Sequence, residues 1–288
     1  CQNITVQLDT SGSAIITASD VDGGSTDACG IASTNISNTI FNCNNVGANS
    51  VILSVTDTSG NTSTCSATVT VQDLIPPTMS CQNITVALDA SGTAFITPQD
   101  IDSGTFDACG LSSVSIDRSN FSCADLGANS VVLTATDIYG NTASCTATVT
   151  VVDLIDPSIN CPSNQTVIAD AGNMYIIPDY FSEGLADASD NCTNPITNVT
   201  QNPTPGSSVG LGLTTVSLTA MDSSGNSDTC SFQLTVNELL GVSNNQIEKT
   251  ISIIPNPASE YITITTSEVV SIQQIKLFDI HGRKIKEQ

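Results

Sequence analysis

Apolar and polar residues alternate along several short runs of this chain. Residues 3–9 read NITVQLD, residues 50–57 read SVILSVTD and residues 64–71 read TCSATVTV. A period of two puts every second side chain on one face, which is the pattern of a half-buried strand. The last two runs flank TSGN at Thr58–Asn61, a turn signal that makes them a hairpin. No stretch sustains the 3.6-residue period of a helix. About seven short strands in each stretch of roughly 75–80 residues predict a two-sheet sandwich. Phe41, Val51, Leu53 and Val55 are the expected core stripe of the first one.

The pattern repeats. CQNITVQLD at Cys1 returns as CQNITVALD at Cys81, and DACG and GANSV return at the same interval. Residues 1–80 and 81–160 are identical at 45 of 80 positions. A diverged third copy opens at Cys161 and keeps DNC at Asp190–Cys192 and MDSSGNSDTCSFQLTV. A unit of this size is a small domain rather than one turn of a solenoid. Because Cys1 falls on a repeat boundary, the chain is expected to be a piece of something longer.

Charge divides the chain. Among its 288 residues the net charge is −22. Residues 1–248 hold 24 of the 28 acids and a single base, Arg118, whereas residues 249–288 hold four acids and five bases. So acidic a body repels phosphate, and nucleic acid is excluded as a partner. No apolar run approaches the ~20 residues of a membrane-crossing helix.

Eleven cysteines at ordered spacing argue for an oxidising compartment. No CxxC or Cys/His ligand pair supports structural zinc. In a sandwich of the immunoglobulin type the first strand lies in part parallel to the last. Cysteines opening those two strands then share an end. The expected bonds are Cys1–Cys65, Cys29–Cys43, Cys81–Cys145, Cys109–Cys123 and Cys161–Cys230, with Cys192 unpaired. Four cysteines in a unit allow three pairings, so the spacing leaves the alternatives open.

Acids concentrate ahead of the DxC cysteines: Asp20, Asp22 and Asp27, then Asp100, Asp102 and Asp107, then Asp179, Glu183, Asp187 and Asp190. A catalytic carboxylate pair needs a shaped pocket and other polar groups. Here the cluster recurs in every unit on a loop with no histidine or base beside it, and repetition suits architecture or avidity better than an active site. The only histidine, His281, sits in the turn DIHG of the tail. Two readings remain. Loops with DxD spacing supply the oxygens calcium prefers, and aspartates also cap turns by accepting backbone N–H groups. Calcium is the one cofactor the chain suggests. Linker acids Asp73, Asp153 and Asp156 are a further place for a cation between units. Asp57, Asp137 and Asp222, in D-x-x-G-N turns, read as hairpin structure.

Together, Cys at the first strand, D-x-C-G, T-D-x-x-G-N, C-x-A-T-V-T-V and D-x-x-x-P resemble the hyalin repeat, or HYR module, especially the tandem versions in Bacteroidota surface proteins. The resemblance spans residues 1 to about 238. It implies an immunoglobulin-like fold, cell adhesion or extracellular scaffolding, and no catalytic residues. The tail, ISIIPNPASEYITITTSEVVSIQQIKLFDIHGRKIKEQ, resembles the type A C-terminal sorting domain of the type IX secretion system through Pro255, Asn256, Pro257, Asp279, Gly282 and Arg283. PNP followed by YITIT reads as a turn into a strand, and IKLFDI-HG-RKIKE as a hairpin. As the family pattern continues further, the domain is expected to be truncated.

The expected architecture is all-β: tandem immunoglobulin-like β-sandwich modules in an extended rod, plus a small partial β-sandwich sorting domain. Module 1 covers 1–76, module 2 covers 77–157 and the diverged module 3 covers 158–238. A linker at 239–250 precedes the sorting domain at 251–288. The expected protein is a non-enzymatic stalk or adhesin segment, extracellular or on the outer-membrane surface, of the kind found in a gliding adhesin or surface filament. Its partners would be the type IX translocon and its sortase-like peptidase, an unidentified extracellular ligand or substratum, and neighbouring rods in lateral self-association. Two alternatives stand beside this reading. One is the carrier end of a secreted enzyme whose catalytic domain lies before Cys1. The other is a set of calcium-dependent carbohydrate-binding modules, disfavoured by the absence of tryptophan and by Tyr139 being the one tyrosine of modules 1 and 2.

Overall fold

A computed structural model of the chain describes residues 1–170 and 172–238, and the strands at 251–254, 263–266, 276–278 and 284–287. The chain divides into two compact units. The first comprises Cys1–Pro162, Asp179–Thr204 and Val216–Phe232; the second comprises Ser163–Pro178, Pro205–Thr215 and Gln233–Gln288.

In the first repeat, β5 (Gly47–Asp57) and β6 (Thr62–Gln72) form a long antiparallel hairpin. Its register, Val51 opposite Ala67 and Leu53 opposite Cys65, keeps the apolar set of both strands on one face. The strand β1 (Ile4–Gln7) runs parallel to β6, with Ile4 opposite Val69, and β3 (Ile31–Ile36) pairs antiparallel with β5. The order β1-β6-β5-β3 makes one sheet. The second sheet is only β2 (Ser13–Ile15) against β4 (Ile40–Asn42). Phe41, Val51 and Leu53 are at most 1% exposed in the core between them, and Val55 packs against it half-buried.

Six strands form where about seven were expected. The stretch holding Asp20 is instead one helical turn, α1 (Ala18–Val21). Its cause is local. The Asp20 carboxylate accepts hydrogen bonds from the Thr17 amide and hydroxyl, and Val21 plugs fully into the core. In the second repeat β7 (Ile84–Ala87), β8 (Thr93–Phe95), α2 (Pro98–Ile101), β9 (Leu111–Ile116), β10 (Asn120–Ser122), β11 (Gly127–Asp137) and β12 (Thr142–Val152) reproduce this plan. Proline at the first helical position of α2 suits a turn whose first N–H has no partner.

In the third repeat β13 (Ser158–Asn160) pairs with β16 (Asp187–Ser189), and β15 (Met174–Ile176) with β18 (Ser208–Gly210). The strand β14 (Gln165–Ile168) is parallel to β20 (Ser227–Asn237), as β1 is to β6. The strand β17 (Asn198–Asn202) pairs with β19 (Gly212–Met221). Tyr180 meets Phe232 edge-on, ring centres 4.8 Å apart. In the tail β21 (Ile251–Ile254) pairs with β22 (Thr263–Thr266), and β23 (Lys276–Phe278) with β24 (Lys284–Glu287). The motif residues Pro255, Asn256, Pro257, Asp279, Gly282 and Arg283, His281, and the linker at 239–250 lie outside the described residues.

Candidate functional site

Cys1–Cys65, Cys81–Cys145 and Cys161–Cys230 are joined. The other expectations are overturned. Cys43 is bonded to Cys109, not Cys29, and Cys123 is bonded to Cys192, not Cys109. Cys192 is therefore paired, and the free cysteine is the exposed Cys29.

Strand length explains the correction. Cys43 precedes the start of β5, whereas Cys29 lies beside its end, where Thr58 donates to the Cys29 carbonyl. Eleven residues of β5 separate them, a distance of about 35 Å at ~3.3 Å per residue. A disulfide spans Cα atoms less than ~7 Å apart. The two cysteines of one repeat thus sit at opposite ends, and each bond crosses to the next repeat, with Cα atoms 5.2 Å apart.

The sulfur of each bond is seated on a glycine. In the turns Asp9–Ser13 and Asp89–Thr93, Gly12 and Gly92 have φ of +76° and +72°. A Cβ on Gly12 would lie 2.8 Å from Cys43 Sγ, and one on Gly92 would lie 2.6 Å from Cys123 Sγ. The corresponding turn of the third repeat carries Asn173 at φ 58°. That repeat has no cysteine matching Cys43 or Cys123, so nothing there demands a bare glycine.

Polar contacts reinforce both junctions. Tyr139 Oη donates to the Cys43 carbonyl at 2.6 Å, and Asn141 Nδ2 donates to the Asp73 carbonyl at 3.2 Å. At the second junction Asn226 Nδ2 donates to the Asp153 carbonyl at 3.2 Å. Asn191 Nδ2 donates to the Asp89 carbonyl and to Asp153 Oδ1. The G-N asparagines of the second and third repeats, Asn141 and Asn226, therefore hold the linker that precedes their repeat.

The DxD acids are committed to their own turns. Hydrogen bonds from the Thr17 amide and hydroxyl hold the Asp20 carboxyl below the ordinary range, and those from Thr97 do the same for Asp100. The Ser25 hydroxyl and amide lower Asp22. Desolvation raises Asp102, but hydrogen bonds from Thr105 and Gly104 outweigh it and the net shift is downward. Asp27 and Asp107 accept the amides of Cys29 and Cys109. Asp179 is lowered by the Ser182 amide and hydroxyl. Asp187 Oδ2 accepts from Asn160, and the Glu183 amide donates to the Asp179 carbonyl.

Two groups that include acids of this set do converge. Ligand atoms of Asp153, Asp190 and Asp222 lie within 4.8 Å of one another, as do those of Asp73, Asp107 and Cys109. Cys109 is spent in a disulfide and offers no thiolate. Asp73, Asp137, Asp153 and Asp222 are at least 94% buried. Asp73 Oδ2, Asp153 Oδ2, Asp190 Oδ1 and Asn191 Oδ1 are buried without a hydrogen-bond partner. The linker acids Asp73 and Asp153, singled out from sequence, belong to these groups. Asp107 and Asp190, singled out from sequence among the acids ahead of the DxC cysteines, join them across about 35 residues of intervening chain, a convergence that no local spacing shows.

These features define a class: disulfide-coupled, all-β modules in tandem, followed by a strand-forming tail. Residues 152–236 match the family described as HYR domain, and residues 252–288 match the family described as Secretion system C-terminal sorting domain. Hyalin of Strongylocentrotus purpuratus is 29% identical over 248 residues, covering 83% of this chain and 20% of its own length. The chain thus spans about a fifth of that relative. Human CDH23 EC21-23 is a structural neighbour at 16% identity and a TM-score of 0.34, covering 65% of this chain and 73% of its own. Immunoglobulin domains 1-4 of Sidekick-1 have 12% identity and a TM-score of 0.32, covering 82% and 74%. At such scores nothing is taken over from either. The sorting-domain match marks the chain for export to the cell surface or extracellular space. Among the described residues no helix is long and apolar enough to cross a membrane.

Proposed function

We propose that the chain is a non-enzymatic, tension-bearing segment of a surface stalk or adhesin of the kind used in gliding or surface filaments. On this reading it is exported by the type IX translocon and processed by its sortase-like peptidase through residues 251–288. The observation that carries the reading is the set of bonds across repeats, Cys43–Cys109 and Cys123–Cys192. An isolated binding domain needs no covalent tie to its neighbour, whereas a segment under tension is strengthened by one.

The bonds within repeats add a second effect. Cys1–Cys65, Cys81–Cys145 and Cys161–Cys230 leave only 65–81 and 145–161 as backbone on the covalent path from Cys1 to Cys230. A taut chain spans ~3.3–3.6 Å per residue, so that path stretches to about 120 Å even with every sandwich unfolded; without the bonds it stretches to about 780 Å. Single-molecule pulling of the whole chain between residues 1 and 238 tests this. Under oxidising conditions the path between Cys1 and Cys230 should extend no further than about 120 Å, rising to several hundred ångströms after reduction. Several hundred ångströms without reductant would contradict the stalk reading. For export, deletion of 252–288 should retain the protein in the periplasm; undiminished surface display would remove the tail from the account.

A further inference from the structure

We propose that the second junction binds a divalent cation of the calcium type through Asp153, Asp190 and Asp222. These residues come from the linker, the DxC loop and the hairpin turn of the third repeat, all within the first compact unit. Their ligand atoms lie within 4.8 Å of one another. Asp153 and Asp222 are 5% and 6% exposed. Water does not screen like charges at such depth, and an isolated buried carboxylate is strongly unfavourable.

Among the described residues no Lys or Arg pairs with these carboxylates. Arg118 is the single Lys or Arg of residues 1–248, and it is paired with Asp125. The carboxylates are also held in place by their outer oxygens. Asp190 Oδ2 accepts from the amides of Cys192 and Thr193 at 2.9 and 2.7 Å. Asp222 Oδ1 accepts three turn amides, from Ser224, Gly225 and Asn226, and its Oδ2 accepts from Asn226 Nδ2 at 2.7 Å. Asp153 Oδ1 accepts from the Ile155 amide and Asn191 Nδ2. That leaves Asp153 Oδ2 and Asp190 Oδ1 buried and unpartnered. Buried polar atoms with no partner are uncommon and point to a missing ligand. An all-oxygen donor set selects a hard cation over zinc.

At the first junction Asp73 repeats the arrangement, 6% exposed with Oδ2 unpartnered. Its group contains only Asp107 as a second carboxylate, so this site is the weaker. The inference does not rest on the stalk reading.

Titration calorimetry of the full, disulfide-intact, chelator-stripped chain with calcium chloride, and separately with magnesium chloride, tests the proposal. Calcium should bind saturably, with a dissociation constant on the order of 10⁻⁴–10⁻³ M as in extracellular modules. Asp190→Asn should weaken the tighter event at least tenfold and abolish the calcium-dependent rise in Tm. Asparagine keeps an acceptor for the Cys192 and Thr193 amides, so the variant should melt like the parent in EDTA. Asp153→Asn serves as the second variant should Asp190→Asn misfold. The double variant Asp20→Asn/Asp22→Asn should bind calcium as the parent does. Absence of saturable binding up to about 10 mM calcium, tenfold above that range, overturns the proposal. So does binding that survives at Asp153→Asn and Asp190→Asn but is lost at Asp20→Asn/Asp22→Asn.

Discussion

Replacing Gly92 by alanine separates the junction from the turn that carries it. Gly92 has φ +72°, so any Cβ there meets the left-handed penalty of roughly 1–2 kcal/mol. Gly140, at φ +92°, meets the same penalty, but nothing lies within 4 Å of its Cβ. At Gly92 the Cβ would sit 2.6 Å from Cys123 Sγ and 3.0 Å from the Asn191 carbonyl oxygen. The sulfur contact is about 1 Å short of ordinary van der Waals separation. The sulfur cannot swing aside, because it is bonded to Cys192. Overpacking of this kind adds ~1–3 kcal/mol. Gly92→Ala should therefore destabilise by about 2–5 kcal/mol and Gly140→Ala by about 1–2 kcal/mol. Urea unfolding of both variants in the intact chain measures the difference. The gap should shrink when the disulfides are reduced, since a free thiol can rotate away. Equal losses in the oxidised protein would refute the reasoning.

Three further outcomes follow from the same geometry. Maleimide should label native protein once, at Cys29, because the other ten cysteines are bonded; label at Cys192 would restore the pairing within repeats. Phe41→Ala should lower stability by about 3–5 kcal/mol, since Phe41 is fully buried in the first core, and a loss below ~1 kcal/mol would deny that core. Asp20, Asp22 and Asp100 have carboxyls lowered by turn hydrogen bonds. The unfolded chain then binds more protons at low pH, so their contribution is complete above about pH 4 and is lost as pH falls further. In the parent and in Asp20→Asn, melts from pH 5 to pH 2 should converge on acidification; a gap that widens would reverse the sign.

Much of the fold is legible in the residues because its causes are local. Alternation in SVILSVTD and TCSATVTV predicts β5 and β6, and TSGN predicts their hairpin. The parallel pairing of first and last strands brings Cys1 to Cys65. Helix α1 escapes the pattern because one turn has no periodicity to read. The crossing disulfides escape it because Cys29 and Cys43 look adjacent until β5 is laid between them. A clue was nonetheless present. The third repeat keeps Cys192 but lacks the cysteine that would follow it. Pairing within repeats strands Cys192, whereas pairing across repeats uses it and leaves Cys29. The acids mislead for a related reason. Close spacing in DVDGGSTD suggests convergence, yet each carboxylate accepts a backbone amide of its own turn. Convergence occurs where the linker, the DxC loop and the hairpin turn bring Asp153, Asp190 and Asp222 together.

Peptide mapping without reduction tests the crossing bonds most directly. Arg118 is the only tryptic site before Lys249, so a protease cutting before aspartate is the suitable tool. Cys29 and Cys43 fall together on 27–56, Cys109 on 107–116 and Cys123 on 117–124. Bonds across repeats predict 27–56 joined to 107–116, and 117–124 joined to the peptide beginning at Asp190. Recovery of 107–116 joined to 117–124 would contradict the account.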